Sequence, residues 1–390
     1  MSDILRQGRD HEPGPWRRRL VALAVLAGLI VAVVLTHLPH HHAPRPHPAA
    51  VVTGPDGITG PTLAWAPSLR VPVATEHPAL LSPAAGRLQV IGGLPLNASG
   101  YQFTQVGGGW AIQANPARAQ PPRAVCDVCA GFPQPVYFLS ERGRSATLVA
   151  PADAVAPAAA ARAMWLTTYP RGVSLQLAAG RAREVGAAGR LIHAPVRLPA
   201  GYTIIRGTVR GLLLAAVAVR PGAPAEGLLD PGTGHLTPVR TPVIAASASK
   251  TAVTTPCSAT SCRLAVSDLA TGRSADVMLP PGTSVANAAF SPDGSYLALQ
   301  VNAAPGGADG GSATRLEVVA TATGRLTPVP DTSLSSDALI GFGWPPGGDQ
   351  LVAELSFTTK VQLAAWRPGA TQLAVTVVRT GHGADSIFTG

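Results

Sequence analysis

The stretch Phe290-Ser-Pro-Asp-Gly-Ser-Tyr-Leu-Ala-Leu299 reads as one strand, a tight turn and a second strand, and imperfect copies of it recur along the chain. Pro292 presets φ, Asp293 bonds its own backbone, and Gly294 supplies the positive φ that leaves the turn. Ala289 and Phe290 close the first strand. In the second, Tyr296, Ala298 and Gln300 alternate with Leu297, Leu299 and Val301, the two-residue period of a pleated sheet. A further copy runs Trp344-Pro-Pro-Gly-Gly-Asp-Gln-Leu-Val352, with Trp344 in the place of Phe290, Pro346 of Pro292, Gly348 of Gly294 and Leu351 of Leu297; Gly347 replaces the aspartate.

A second class of turn carries Gly between strands: Ser82-Pro-Ala-Ala-Gly-Arg87, Asp230-Pro-Gly-Thr-Gly-His235, Asp268-Leu-Ala-Thr-Gly-Arg273 and Ala320-Thr-Ala-Thr-Gly-Arg325, with Arg367-Pro-Gly-Ala-Thr371 as the last member. Apolar runs flank these turns, which is an outer hairpin repeated. Inner-strand candidates fall near Thr62–Trp65, Gly109–Gln113, Ala163–Leu166, Tyr202–Ile205, Val243–Ala246, Ala288–Phe290 and Leu339–Phe342, close to the spacing of about 40 to 45 residues that a four-stranded propeller blade occupies. The expectation is an all-β propeller over residues 56–390 with seven blades, six being the runner-up. Pro151–Ala163, with its alanine run, reads alternatively as one helical turn between blades. Closing the ring removes exposed strand edges.

Phe290, Ser291, Pro292, Asp293, Gly294, Leu297 and Ala298 resemble the repeat of TolB-type, WD40-like β-propellers, in which F-S-P-D-G-x-x-L-A joins the first two strands of a blade. The resemblance implies a fold used mainly for binding, and it carries over no catalytic residue.

The charged fraction of 13 % is about half that of an average soluble protein, which suits sheets buried on both faces. Lys occurs only at Lys250 and Lys360, and the Ala, Gly, Pro and Arg excess resembles the bias of high-GC, actinobacterial-type genomes. The net charge is +9, but along the strands and turns the arginines are scattered singly, without the basic cluster interleaved with aromatics that nucleic acid requires. The same charge suits an anionic envelope polymer.

Residues 1–19 are polar and end in Trp16-Arg-Arg-Arg19; the run from Leu20 to Leu38 that follows has 19 residues. At about 1.5 Å per residue a helix of that length just crosses a hydrocarbon core of about 30 Å. The arginines hold the amino terminus in the cytoplasm and place the remainder outside. A cleaved signal peptide is the competing reading, but its apolar region is about 7–15 residues and ends in a small-x-small site, whereas this run exits into Pro39-His40-His41-His42. Residues 39–55, which hold His47 among prolines, read as an extended stem, polar rather than metal-binding.

The four cysteines form two close pairs, Cys126/Cys129 and Cys257/Cys262. Outside the membrane an even count reads as disulfides, here expected as local bridges because each pair sits in a turn-rich stretch and the two pairs are far apart in sequence; the spacings match no zinc ribbon or finger. Ser247-Ala-Ser-Lys250 has the serine-x-x-lysine spacing of penicillin-recognising enzymes without their supporting motifs. Asp293 is explained by its turn; His193, His235 and His382 stand alone; Asn97 opens a sequon of little weight in a bacterium. Trp65, Trp110 and Tyr169 are candidate contact aromatics, with core packing the favoured role for the two tryptophans. No cofactor or metal site is expected. The function expected is a noncatalytic module for a protein or envelope polymer. The alternative is a propeller lyase or glycosidase using channel carboxylates.

Overall fold

A computed structural model describes residues 64–73, 77–116, 133–217, 222–255, 262–303, 313–330, 332, 334–335, 339–357 and 360–378. The expected membrane helix and stem lie outside these residues. Among those described, no helix is long and apolar enough to cross a membrane.

The second copy-bearing strand shows why the chain builds stacked sheets. Leu297, Leu299 and Val301 pack into one apolar cluster and Ala298 into another on the opposite face, so both faces are buried. Repeated along the chain, this produces seven antiparallel sheets, each following chain order. Blade 1 shows β1 Val71–Val73, β2 Ala79–Ser82 and β3 Arg87–Val90. Blade 2 is β4 Ala98–Val106, β5 Gly109–Pro116, β6 Gln134–Ser140 and β7 Thr147–Ala152. Blade 3 is β8 Ala154–Pro157, β9 Ala163–Thr168, β10 Ala179–Gly186 and β11 Val196–Ala200. Blade 4 is β12 Tyr202–Thr208, β13 Gly211–Ala216, β14 Glu226–Leu229 and β15 Leu236–Val239. Blade 5 is β16 Val243–Ala246, β17 Lys250–Thr254, β18 Cys262–Asp268 and β19 Ser274–Leu279. Blade 6 is β20 Thr283–Phe290, β21 Tyr296–Ala303, β22 Ala313–Ala320 and β23 Arg325–Pro328, with the short β24 Leu334–Ser335 added beside β22. Blade 7 is β25 Leu339–Gly343, β26 Leu351–Phe357, β27 Lys360–Trp366 and β28 Ala374–Val378.

The sheets form a seven-bladed propeller, which excludes the six-blade alternative. First strands adjoin across blades, β4 with β8, β8 with β12, β16 with β20 and β20 with β25, while β12 and β16 approach one another more loosely. In blade 1, Trp65-Ala-Pro-Ser-Leu69 precedes β1 as Phe290-Ser-Pro-Asp-Gly294 precedes β21. The three described strands of blade 1 therefore correspond to the second, third and fourth strands of a blade. The ring closes through one cluster that holds Trp65, Leu69 and Val71 of blade 1, Phe103, Trp110 and Ile112 of blade 2, and Val352, Leu363 and Ala374 of blade 7.

The Gly-marked turns fall where outer hairpins were expected: Gly86, Gly234, Gly272, Gly324 and Gly369 all take positive φ between third and fourth strands. Two inner-strand expectations are corrected. Gly109–Gln113 and Ala163–Leu166 lie in second strands, and the true first strands are the polar-looking β4 and the four-residue, alanine-bearing β8. Nor is Pro151–Ala163 a helical turn: β7 ends there, β8 follows, and Arg162 at φ 58° closes the turn into β9. Apolar clusters join blade 7 to 1, 1 to 2, 2 to 3, 3 to 4, 5 to 6 and 6 to 7. Among the described residues no such cluster joins blades 4 and 5.

Candidate functional site

Because the strands alternate in direction, turns between first and second and between third and fourth strands gather at one end of the ring. At that end a cavity of about 660 Å³ opens between blades 3 and 4. Its floor is Trp165, Val196 and Leu212, and its rim includes His193, the turn Gly207–Gly211 and Asp230. The connection after β10 folds back on that strand through Gly186 N–H to Arg190 O at 2.9 Å and Ile192 N–H to Glu184 O at 2.9 Å. His193 is thereby set beside Glu184, with Nδ1 2.6 Å from Oε2.

The Glu184 side chain is only 7 % exposed and that of His193 69 %. A carboxylate accepting from Nδ1–H fixes the imidazole tautomer and leaves Nε2 as an acceptor. Opposite, Thr208 Oγ1 donates to Gly211 O at 2.8 Å and accepts from Arg210 N–H at 3.2 Å. Arg210 reaches away to blade 5, donating from Nε to Leu269 O at 2.6 Å and from Nη2 to Ala270 O at 3.2 Å. Asp230 accepts from Gly232 N–H at 2.8 Å; that bond, with those from Thr233, lowers its carboxyl pKa. The cleft thus offers an apolar floor and an oriented imidazole, and among the described residues no serine or cysteine lines it. The Glu184–His193 pair is invisible in sequence, because nothing in the spacing announces the fold-back that joins them.

The residues singled out from the sequence are mostly engaged in turns. Asp293 accepts from Ser291 Oγ at 2.6 Å, Ser295 N–H at 3.0 Å and Ser295 Oγ at 2.6 Å. Burial alone would raise its pKa, but these bonds prevail and the net shift is downward. Trp344 is buried, donates from Nε1 to Ala289 O at 3.1 Å and stacks on Tyr296 with ring centroids 5.9 Å apart. Phe290 packs against the cluster between blades 5 and 6. Pro346 and Gly348 lie in the blade 7 turn, where a Cβ on Gly348, at φ 51°, would stand 2.7 Å from Pro292 Cδ. Ser247 Oγ accepts from Lys250 N–H at 2.9 Å, while Lys250 Nζ donates to Gly294 O at 3.0 Å and Thr321 Oγ1 at 2.7 Å. The serine-x-x-lysine is therefore a turn whose lysine ties blade 5 to blade 6.

Trp65 and Trp110 are core residues. Tyr169 is not a surface contact: it is buried and its hydroxyl donates to Tyr202 O at 3.0 Å. His235 lies in an exposed turn. Cys262 opens β18 and is buried; Cys126, Cys129, Cys257 and His382 lie outside the described residues. Among the described residues, no three His, Cys, Asp or Glu side chains converge as a metal site.

The first strands β4, β8, β12, β16, β20 and β25 contain no Asp or Glu, and Arg206 is their one charged residue. Its Nε is sealed from solvent and has no hydrogen-bond partner. The residue as a whole keeps intermediate exposure, yet its guanidinium lies deep enough that desolvation pulls its pKa down to about 10. It stays protonated at neutral pH.

No family model matches the sequence, and no curated protein matches it. Solved structures do. A prolyl endopeptidase is similar over 79 % of this chain and 47 % of its own, at 12 % identity and a TM-score of 0.51. The acylaminoacyl peptidase of Pyrococcus horikoshii is similar over 77 % of this chain and 47 % of its own, at 10 % identity and a TM-score of 0.50. TolB from Acinetobacter baumannii is similar over 73 % of this chain and 80 % of its own, at 12 % identity and a TM-score of 0.42. The likeness is one of fold. This chain spans about half the length of the two peptidases.

Proposed function

We propose that this chain is a membrane-anchored, extracytoplasmic propeller that binds a protein or an envelope polymer without transforming it. The observation that carries the reading is the engagement of its chemistry-bearing residues in structure: Asp293, Ser247 and Lys250 hold turns, and the described first strands bear no carboxylate. The apolar run from Leu20 to Leu38 behind Arg17–Arg19 supports the anchor and its orientation. The connection 169–178 between the second and third strands of blade 3 opens at the end of the ring opposite the Glu184 cleft. A rigid frame with long loops suits recognition.

A second reading is favoured by one feature, the oriented His193 beside a cavity, which could act as a general base. It moves the enzyme hypothesis from the channel to the cleft. Full-length protein incubated with envelope fractions distinguishes the two. Saturable capture of an unmodified partner, unaffected by His193→Ala, supports binding; turnover lost in both His193→Ala and Glu184→Gln supports catalysis. Protease added to intact cells should degrade the propeller, and protection of the propeller would overturn the proposed orientation.

A further inference from the structure

The junction of blades 4 and 5 differs from the others in the ring, and the difference centres on Arg206. In β12 and β13, Ile204 pairs with Leu214, Arg206 with Leu213 and Gly207 with Leu212, because a bulge at Ile205 inserts one residue. Leu212 and Leu214 pack towards blade 3. Cross-strand partners share a face, so Arg206 and Leu213 face blade 5.

Blade 5 covers that face only in part: Leu213 is buried, but among the described residues no apolar cluster spans the junction. Its inward set, Ala252, Leu264 and Val266, packs towards blade 6. The alternate residues Thr251, Val253, Ala265 and Ser267, which face blade 4, all keep intermediate exposure although they lie within the sheet. Leu228 on blade 4 does too. The two blades are tied at their ends by Val209 N–H to Ala248 O at 2.8 Å, by Arg210 to the Leu269 and Ala270 carbonyls, and by Val243 N–H to Glu226 Oε2 at 2.7 Å. Between those ties runs a partly open seam, and at its inner margin lies a guanidinium whose Nε has no partner.

The carboxylates near this face are otherwise engaged. Glu226 accepts from Val243, and Asp276 pairs with Arg263 at 3.3 Å. A buried charge without a counter-ion is costly, and a guanidinium fork matches an oxyanion better than any other ligand chemistry. We infer that the seam between blades 4 and 5 is an oxyanion site in which Arg206 binds a carboxylate or phosphate group of a ligand. The site stands whether or not the loop end of the ring recognises a macromolecule.

The test uses full-length protein melted in chloride, in inorganic phosphate and in citrate at equal ionic strength and pH. A ligand that binds only the folded state raises the melting midpoint with its concentration. The wild-type midpoint should rise in phosphate, citrate or both relative to chloride, and whichever anion acts identifies the group preferred. In Arg206→Met the anion-specific rise should disappear, while the midpoint in chloride should equal or exceed that of wild type, because an uncompensated charge has been removed. Arg206→Lys should retain a reduced rise. No anion-specific rise in wild type overturns the proposal without recourse to any variant, as does an equal rise in Arg206→Met. If Arg206→Met does not fold, the wild-type and Arg206→Lys measurements still decide, an undiminished rise in the lysine variant counting against the fork.

Discussion

Asp293 shows how much one side chain contributes to a blade. It receives three hydrogen bonds within its own turn, so Asp293→Asn should lower stability by about 1–2 kcal/mol at neutral pH. The pH dependence has a definite sign. The folded carboxyl titrates below its ordinary value of 3.8, so its contribution is complete above that value and is lost as pH falls through the folded pKa. Urea midpoints of wild type and Asp293→Asn should therefore converge on acidification below pH 3.8; a constant gap would contradict this. Trp344, buried, stacked on Tyr296 and bonded to Ala289, should be more costly to remove, about 3–5 kcal/mol for Trp344→Ala. Asp293 could be read from its turn chemistry alone. Arg206 could not, because strict alternation from Ile204 would have set it towards blade 3, and only the bulge at Ile205 transfers it to the other face.

Neighbouring turns touch as units. Lys250 reaches from the blade 5 turn to the blade 6 turn, and Gly348 of blade 7 leaves no room for a Cβ beside Pro292. Lys250→Met should cost about 1.5–3 kcal/mol, the range for bonds to a charged group, and chemical denaturation of the purified variant checks it. Gly348→Ala combines a left-handed backbone with a close approach, so it should be destabilised by more than about 1 kcal/mol. The outer hairpins were legible because Thr-Gly at 233–234, 271–272 and 323–324 places a positive-φ residue where the turn needs one. First strands of blades 2 and 3 were not. Gln102, Thr104 and Gln105 in β4 and the brief Ala154–Pro157 lack the apolar alternation of the strands they precede. The cleft was hidden for another reason, since Glu184 and His193 meet only through the fold-back after Gly186.

Across the whole molecule, stability should vary from seam to seam. Among the described residues, six junctions are sealed by apolar clusters and the one between blades 4 and 5 by polar ties at its ends. Native-state hydrogen exchange should find amides of β12 and β16 opening at lower free energy than those of β5 and β26, which flank the closing cluster; equal protection would argue against an uneven ring. The two cysteine pairs should resist alkylation until reduced, and labelling of all four thiols beforehand would exclude the local bridges.

The closing cluster also imposes an order on manufacture. Trp65 and Val71 emerge from the ribosome roughly three hundred positions before Val352 and Ala374, which cover them. Until the last segment is delivered, the first blade presents an unshielded greasy flank on one side, a state prone to wrong partners. A nascent chain halted before Leu351 should therefore recruit holding chaperones through its earliest-made blade, and supplying the missing carboxyl-terminal segment in trans should release them.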